Sequence, residues 1–369
     1  MFDTIDQPTL LLDEKTARRN LQRMMKRAAA QGVAFRPHFK THQSAQIGEW
    51  FRQTGVQKIT VSSVEMAEYF AAHGWQDILI AFSLNPRQIQ RIEALAAYTR
   101  LGVLIENEEA LQVLVSSPIP AVDVWIKVDV GNGRTGLNWQ ALVEIQELAA
   151  GVQRASHLRL AGLLTHSGHT YHAASKADVA RLFREGVERL GSLRQELVKT
   201  GLHGLEISVG DTPGCSLCED WSGIDEVRPG NFIFFDAQQA AIGACRVEDI
   251  SLALACPVVA KHPQRNEVVI YGGAIHLSKD TVEVDGRLSF GLPSLAAGKK
   301  WGDPIPGGRV DRLSQEHGVL QLPSKVMDQI SVGDLVFILP AHSCLTVQVT
   351  RQYQTLTGEV IHTLNEINN

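Results

Sequence analysis

Positive charge is not in excess in this chain. Its 35 lysines and arginines face 40 aspartates and glutamates, for a formal net charge of −5. No basic field favours nucleic acid, and no nucleic-acid partner is expected. The first residues, Met-Phe-Asp-Thr-Ile-Asp-Gln-Pro, have neither a basic start nor a long apolar run, so no secretory signal is read there. The most apolar stretch, 252–260, is too short to span a bilayer and contains Pro257, so no membrane partner is expected. Cysteine is scarce, at five scattered residues. An odd count in a chain of this size points to reduced thiols and a cytoplasmic setting, not a disulfide framework. Cys215-Ser-Leu-Cys218 has no second such pair to complete a structural zinc site. It follows Gly210-Asp-Thr-Pro-Gly214, which reads as a loop, so two ordinary loop cysteines are expected.

What is present is alternation. The 369 residues are 44% hydrophobic and 20% charged, ordinary for a globular protein with room for two domains. Asp13 can cap a helix reaching about residue 31, with Ala17, Leu21, Met24 and Ala28 on one face and Gly32 as a stop. Ser62-Ser-Val-Glu65 resembles a capping box, and Asn85-Pro86 places a cap and a first-turn proline before Ile89, Ile92 and Leu95. A charged amphipathic helix is predicted over 176–200. Between the helices lie eight predicted strands, at 35–40, 58–62, 77–82, 101–105, 122–130, 158–166, 205–209 and 231–235. Eight strands alternating with helices predict an α/β fold, a (β/α)8 TIM-type barrel over 13–244. A doubly wound sheet is the alternative, and the strand count favours the barrel. From about residue 245 the pattern turns to short runs with Gly, Pro and Asp turns: 252–260, 267–271, 281–284, 334–339 and 345–350. They predict a mostly β domain over 245–369, joined by residues 1–12 through the run Pro8-Thr-Leu-Leu-Leu12.

Barrel chemistry sits at the C-terminal ends of the strands. There the sequence places Arg36-Pro-His-Phe-Lys40-Thr-His42, Asp129-Val-Gly-Asn-Gly-Arg134, His166-Ser-Gly-His169-Thr-Tyr171 and Ser208-Val-Gly-Asp-Thr212. Glycines with Ser and Thr after the seventh strand suit an anion, because exposed backbone N–H groups can approach phosphate closely. Near the C-terminus, His342-Ser-Cys344 lies in an apolar string that predicts a strand. Residues two apart on a strand share a face, so the imidazole and thiolate would project together. That pair suits Zn²⁺ and leaves coordination positions open for water or substrate.

Five strings together resemble the fold-type III pyridoxal phosphate (PLP) enzymes, in the branch of D-threonine aldolase and eukaryotic-type D-serine dehydratase. They are Arg36-Pro-His-Phe-Lys-Thr-His42, Ser208-Val-Gly-Asp-Thr-Pro213, Glu226-Val-Arg-Pro-Gly-Asn-Phe232 with Phe235-Asp236 after it, Ser314-Gln-Glu-His-Gly318 and Pro340-Ala-His-Ser-Cys344. They run in family order over nearly the whole chain. The resemblance implies an alanine racemase-like barrel with a β domain. It implies that Lys40 is the Schiff-base lysine and a base at Cα. It also implies a phosphate cradle of Gly210, Asp211, Thr212, Gly230 and Asn231, with Tyr171 near the pyridine nitrogen and Arg134 near the phenolic oxygen. His169 would act on a substrate hydroxyl, and the role of His42 is left open. His342 and Cys344 match the branch's metal pair. The aldolases tend to carry His-x-Asp where the dehydratase carries His-x-Cys, and thiolate is the softer ligand, which points to Zn²⁺. Two departures stand out. Ala341 replaces the usual Asn, and Tyr271-Gly-Gly replaces the usual Asp-Ala-Gly.

The expected function is therefore a PLP- and metal-dependent lyase on β-hydroxy D-amino acids. It would deaminate in the manner of D-serine dehydratase, or cleave to glycine and an aldehyde in the manner of D-threonine aldolase. The alternative is a PLP-dependent amino-acid racemase, which needs a second base and no metal. A non-catalytic PLP carrier is a further reading, but small carriers of that kind lack a β domain. Family members usually form homodimers, and a homodimer is expected here.

Overall fold

The structure, a computed structural model, describes residues 2–364. The chain forms two compact units, one of residues 23–40 and 48–230, the other of the remaining described chain. The expected barrel and β-rich sheet are both present. Among the described residues no helix is long and apolar enough to cross a membrane.

The first unit holds nine strands: β2 (Ala34–Phe35), β3 (Lys58–Val61), β4 (Asp77–Ser83), β5 (Arg100–Ile105), β6 (Val122–Asp129), the short β7 (Leu137–Asn138), β8 (Leu158–Leu164), β9 (Glu206–Val209) and β10 (Glu226–Val227). Eight run parallel in the order β2-β10-β9-β8-β6-β5-β4-β3, and β7 pairs only with β6. Strands covered on both faces read as continuous apolar runs, which is why 101–105 and 158–164 were legible. Leu79, Leu104, Trp125, Ala161 and Leu164 pack together as one buried cluster. The outer helices follow their sequence signals. Ser63 caps Val64–Ala72 by accepting from Met66 N, one residue on from the expected box of Ser62 and Glu65. Ser175 caps Lys176–Lys199, which buries Val179, Phe183, Leu190, Leu193 and Leu197.

Two barrel strands depart from expectation. The first ends at Phe35, and beyond it only His38 bridges to Thr60; Pro37 has no N–H to continue the ladder. The eighth strand is Glu226–Val227, not 231–235. Residues Asn231–Ile233 form a 3₁₀ turn whose first carbonyl accepts from Phe234 N and Phe235 N. Phe235 has φ +50°, outside the strand region.

The ladder between β2 and β3 is therefore thin, and charge closes the seam. Arg36, just past β2, reaches Glu226 on β10 (2.7 Å) and Asp77 on β4 (2.5 Å). Lys58, the first residue of β3, lies 3.1 Å from Glu226. Glu226 also accepts from Ser208 Oγ at 2.8 Å. The chain of pairs continues round the strand starts through Arg100, Asp123 and Arg159.

The second unit contains β1 (Thr9–Leu12), β11 (Leu252–His262), β12 (Glu267–Tyr271), β13 (Val282–Val284), β14 (Arg287–Ser289), β15 (Gly291–Ala297), β16 (Lys300–Pro304), β17 (Arg309–Leu313), β18 (His317–Gln321), β19 (Leu335–Pro340), β20 (Gln352–Thr355) and β21 (Val360–His362). Ten of them form one sheet, with the main path β16-β15-β19-β11-β1-β20-β21 and β12, β18 and β17 branching from β11. Residues Thr9–Leu12 pair antiparallel with 252–255. The run 345–350 is not a strand. It belongs to the helix Ser343–Thr350.

Glu226→Gln should destabilise the protein by about 3–5 kcal/mol, because Arg36 and Lys58 keep their charges without the buried anion. Burial raises the Glu226 pKa, but Arg36 and Lys58 outweigh it and hold it below the ordinary glutamate value. Its contribution is complete above the unfolded glutamate pKa of about 4.3 and is lost as pH falls through the lower folded value. Urea unfolding should show the full gap between wild type and variant at neutral pH, and a smaller gap as the pH is taken below that range.

Candidate active site

The barrel unit gathers cations where its strands end. Lys40 is exposed, five residues beyond β2. His166, two residues beyond β8, feels both Lys40 and Lys127. Burial, then those lysines, hold its pKa well below the ordinary value. Its Nδ1 donates to Gly210 O at 2.5 Å, which fixes the tautomer and leaves the lone pair on Nε2. Lys127 is buried near the end of β6. Burial, then Arg228 and Arg134, push its pKa down to about 7, against Glu106 and Asp129. Arg228 is buried and donates to Ser208 Oγ and to Thr165 O. Burial lowers even this guanidinium to about 10.

Arg134 sits exposed on a loop with carboxylates at its base. Asp129 accepts from Gly131 N (2.9 Å), Asn132 N (2.8 Å) and Gly133 N (3.0 Å). Glu106 accepts from Ser83 Oγ and Gly136 N. Gly136 has φ +105°, and a Cβ there would fall 2.8 Å from Asp129 N, so only glycine fits. His169 lies on a 3₁₀ turn among Asp129, Arg189 and Glu185; burial lowers its pKa, and its Nδ1 has no hydrogen-bond partner among the described residues. The histidine coupled to Lys40 is thus His166. Tyr171 presents its hydroxyl to Thr212 N at 3.4 Å.

Gly210 is buried, and a Cβ on it would come within 2.9 Å of the Arg228 Cβ. Asp211 caps the helix Thr212–Leu217 through Gly214 N and accepts from Thr170 Oγ1 at 2.9 Å. Burial raises its pKa to about 7. Cys215 lies inside that helix and is not the loop residue expected, whereas Cys218 lies just past its end in extended backbone. Burial raises both thiols, Cys218 to about 12, which suits structural cysteines and not redox ones. Gly230 closes this unit, following Pro229, whose carbonyl accepts from His38 N.

These residues fit PLP. Lys40 supplies an amine for the aldehyde. Lys127, disfavoured as a cation by burial and then by Arg228 and Arg134, would be relieved by an anion. Gly210, lacking a side chain, packs directly against Arg228, where a Cβ would come within 2.9 Å.

The second unit holds the sulfur–nitrogen pair. β19 ends at Pro340, His342 is extended (φ −135°, ψ 121°), and Cys344 is the second residue of the helix Ser343–Thr350. The two residues do not share a strand face. A strand-to-helix turn brings them together instead, close enough for Cys344 to hydrogen-bond His342. Burial opposes protonation of His342, but Cys344 and Asp236 outweigh it and hold its pKa well above the ordinary value. Asp236 meets His342 Nδ1 at 2.9 Å. Thr41 Oγ1 lies 3.4 Å from Cys344 Sγ. Asn231 turns its amide to Asp236 (2.7 Å) and Ser343 Oγ (2.9 Å). His42 is fully buried, its Nδ1 accepting from Ser44 N at 3.2 Å, and burial pushes its pKa down to about 3. Among the described residues, no three His, Cys, Asp or Glu side chains form a metal-holding group. A nitrogen and a sulfur donor side by side nevertheless suit zinc with open positions.

Sequence reasoning assigned no role to Lys127, His166 or Asp236. Lys127 left one signal, a lysine inside the apolar string Val124-Trp-Ile-Lys-Val128. Asp236 stood in a family-like string, Phe235-Asp236, but its contact with His342 lies 106 positions away and left no signal.

Comparison with known proteins agrees with this architecture. The alanine racemase N-terminal domain family matches residues 12–238, and a serine dehydratase domain family matches 251–356. A D-threo-3-hydroxyaspartate dehydratase of Delftia sp. is 29% identical, over 96% of this chain and 95% of that one. Its solved structure superposes with a TM-score of 0.90 at 27% identity, covering 98% of each chain. A structure of that enzyme with one cysteine replaced by alanine is described as the metal-free form. A D-serine dehydratase of Dictyostelium discoideum is 28% identical, over 97% of this chain and 95% of that one. A D-threonine aldolase of Arthrobacter sp. is 27% identical, over 92% and 86% respectively. With its cation-rich barrel and its β unit, the chain belongs to the alanine racemase N-terminal domain family of PLP enzymes, in the branch that joins this barrel to a serine dehydratase domain.

Proposed function

We propose that this protein is a PLP-dependent lyase acting on β-hydroxy D-amino acids, with Zn²⁺ as a second cofactor. The observation that carries the reading is the contact between His342 and Cys344. An imidazole–thiol pair with open coordination positions serves β-hydroxyl chemistry. Racemisation has no use for it. The softer thiolate favours dehydration of the D-serine type, with aldol cleavage second. Support comes from relatives named as dehydratases and an aldolase of such amino acids, one with a cysteine variant described as metal-free. The 3-hydroxyaspartate relative extends the candidate substrates to those with a second carboxylate.

When bound, PLP draws electrons from the carbon that bears the substrate's amino group. Lys40 anchors it and removes the Cα proton with Nζ. Gly210, Asp211, Thr212 and Gly230, beside Arg228, would hold its phosphate, and Asn231 is assigned to the same cradle on the family resemblance alone. On the family resemblance, Tyr171 would offer a neutral phenol to the ring nitrogen, and Arg134 a guanidinium to the phenolic oxygen. His166, kept neutral by burial and by the lysines, can accept a proton at Nε2 but does not compete as a cation. His169 is assigned to the substrate hydroxyl. His342 and Cys344 would hold Zn²⁺, which supplies a Lewis acid for the β-hydroxyl. D-serine would yield a keto acid and ammonia. The working assembly is proposed to be a homodimer.

Two measurements test this. Borohydride reduction of purified protein should fix PLP to Lys40, and Lys40→Ala should reduce turnover at least about 100-fold, since anchor and base go together. Peptide mapping of the label to another lysine would refute the assignment. His342→Ala, assayed on D-serine, D-threonine, D-threo-3-hydroxyaspartate and D-alanine, should lose zinc and all β-hydroxyl chemistry while retaining PLP. A variant that keeps both metal and activity would make racemisation the better reading.

A further inference from the structure

We propose that Asp236 is the positioning residue of the metal site, and that one of its oxygens orients both ligands. This rests on the reading of His342 and Cys344 as the metal pair. Asp236 is fully buried. Its Oδ2 meets three nitrogen donors: His342 Nδ1 at 2.9 Å, Ser343 N at 3.0 Å and Asn231 Nδ2 at 2.7 Å. Its Oδ1 accepts from Gln239 N at 2.9 Å, which anchors the carboxylate to the start of the helix Ala237–Ala241. An oxygen surrounded by three N–H donors is an acceptor, so the proton on His342 Nδ1 belongs to the ring. Nδ1 is thereby committed to Asp236, and Nε2 is the nitrogen left for a metal. A carboxylate behind a ligating histidine also fixes the ring's orientation and raises its basicity.

The same Oδ2 holds Ser343 N, the peptide between the two ligands. That bond caps the helix on which Cys344 sits, so the sulfur is positioned by the oxygen that positions the ring. Thr41 Oγ1 at 3.4 Å and Asn231 Nδ2 at 3.9 Å approach the sulfur itself. A site with only two protein ligands gains little from chelation, so its affinity depends on both being held before the metal arrives. Asp236 does this from 106 residues away in sequence.

The test is zinc affinity of the PLP-loaded protein, read by competition with a chromogenic chelator, for wild type, Asp236→Asn and His342→Ala. Asp236→Asn keeps the shape and one acceptor oxygen but removes the charge. It should weaken zinc binding about 10–100-fold while PLP stays bound. If Asp236→Asn binds zinc as wild type does while His342→Ala has lost it, this inference fails and the metal pair stands. If His342→Ala keeps its zinc, the metal pair itself fails and the inference with it. A crystal structure of the zinc-loaded wild type decides the matter should Asp236→Asn not fold. Nε2 of His342 at about 2.0–2.1 Å from the metal supports the inference, and Nδ1 at that distance overturns it.

Discussion

Arg36 closes the barrel, and the anion that lets it do so is Glu226. A parallel barrel must join its first strand to its second, and here the ladder at that seam is a single bridge between His38 and Thr60. Proline at 37 removes a donor where one more rung would form. Arg36 spans the gap instead, reaching β10 on one side and β4 on the other. Such a pair costs desolvation and survives because the geometry is good and every oxygen of Glu226 is engaged. Lys40 lies four residues beyond Arg36, so the placement of the proposed Schiff-base lysine depends on this seam.

The opposite end of the same strands shows the complementary arrangement. At the strand starts, opposite charges alternate and neutralise each other from Lys58 round to Arg159. At the strand ends lie Lys40, Lys127, Arg134 and Arg228, and the pKa values of Lys127 and His166 fall, through burial first and the neighbouring cations second. One end is satisfied by itself. The other is arranged for a ligand with negative charge, which is the ordinary division of labour in this kind of barrel.

Much of this was legible. Continuous apolar runs marked the buried parallel strands, and Asp13 and Asn85 marked helix starts with their own side chains. These signals are local, and each is satisfied within a few residues of itself. The errors fell where hydrogen bonds, near or distant, overrode the local pattern. Residues 345–350, Leu-Thr-Val-Gln-Val-Thr, carry β-branched side chains that favour a strand. They form a helix, whose first N–H, Ser343 N, donates to Asp236 far away in sequence. Residues 231–235 read as a strand, yet Asn231 spends its amide on Asp236 and Ser343 and its carbonyl on the turn that follows.

By itself, then, the sequence determined the barrel with its β-rich partner and the family, and it supplied the strings from which Lys40 and the sulfur–nitrogen pair are proposed. These follow from periodicity and from contiguous strings, which need no knowledge of packing. Only the tertiary structure decided that His166, not His169, is coupled to Lys40, that Lys127 is a buried member of the cation cluster, and that Asp236 stands behind His342. Each of those depends on which side chains from separated segments come within a few ångströms. Electrostatic coupling and hydrogen bonding decay over that same short distance, so the roles they confer are set by packing.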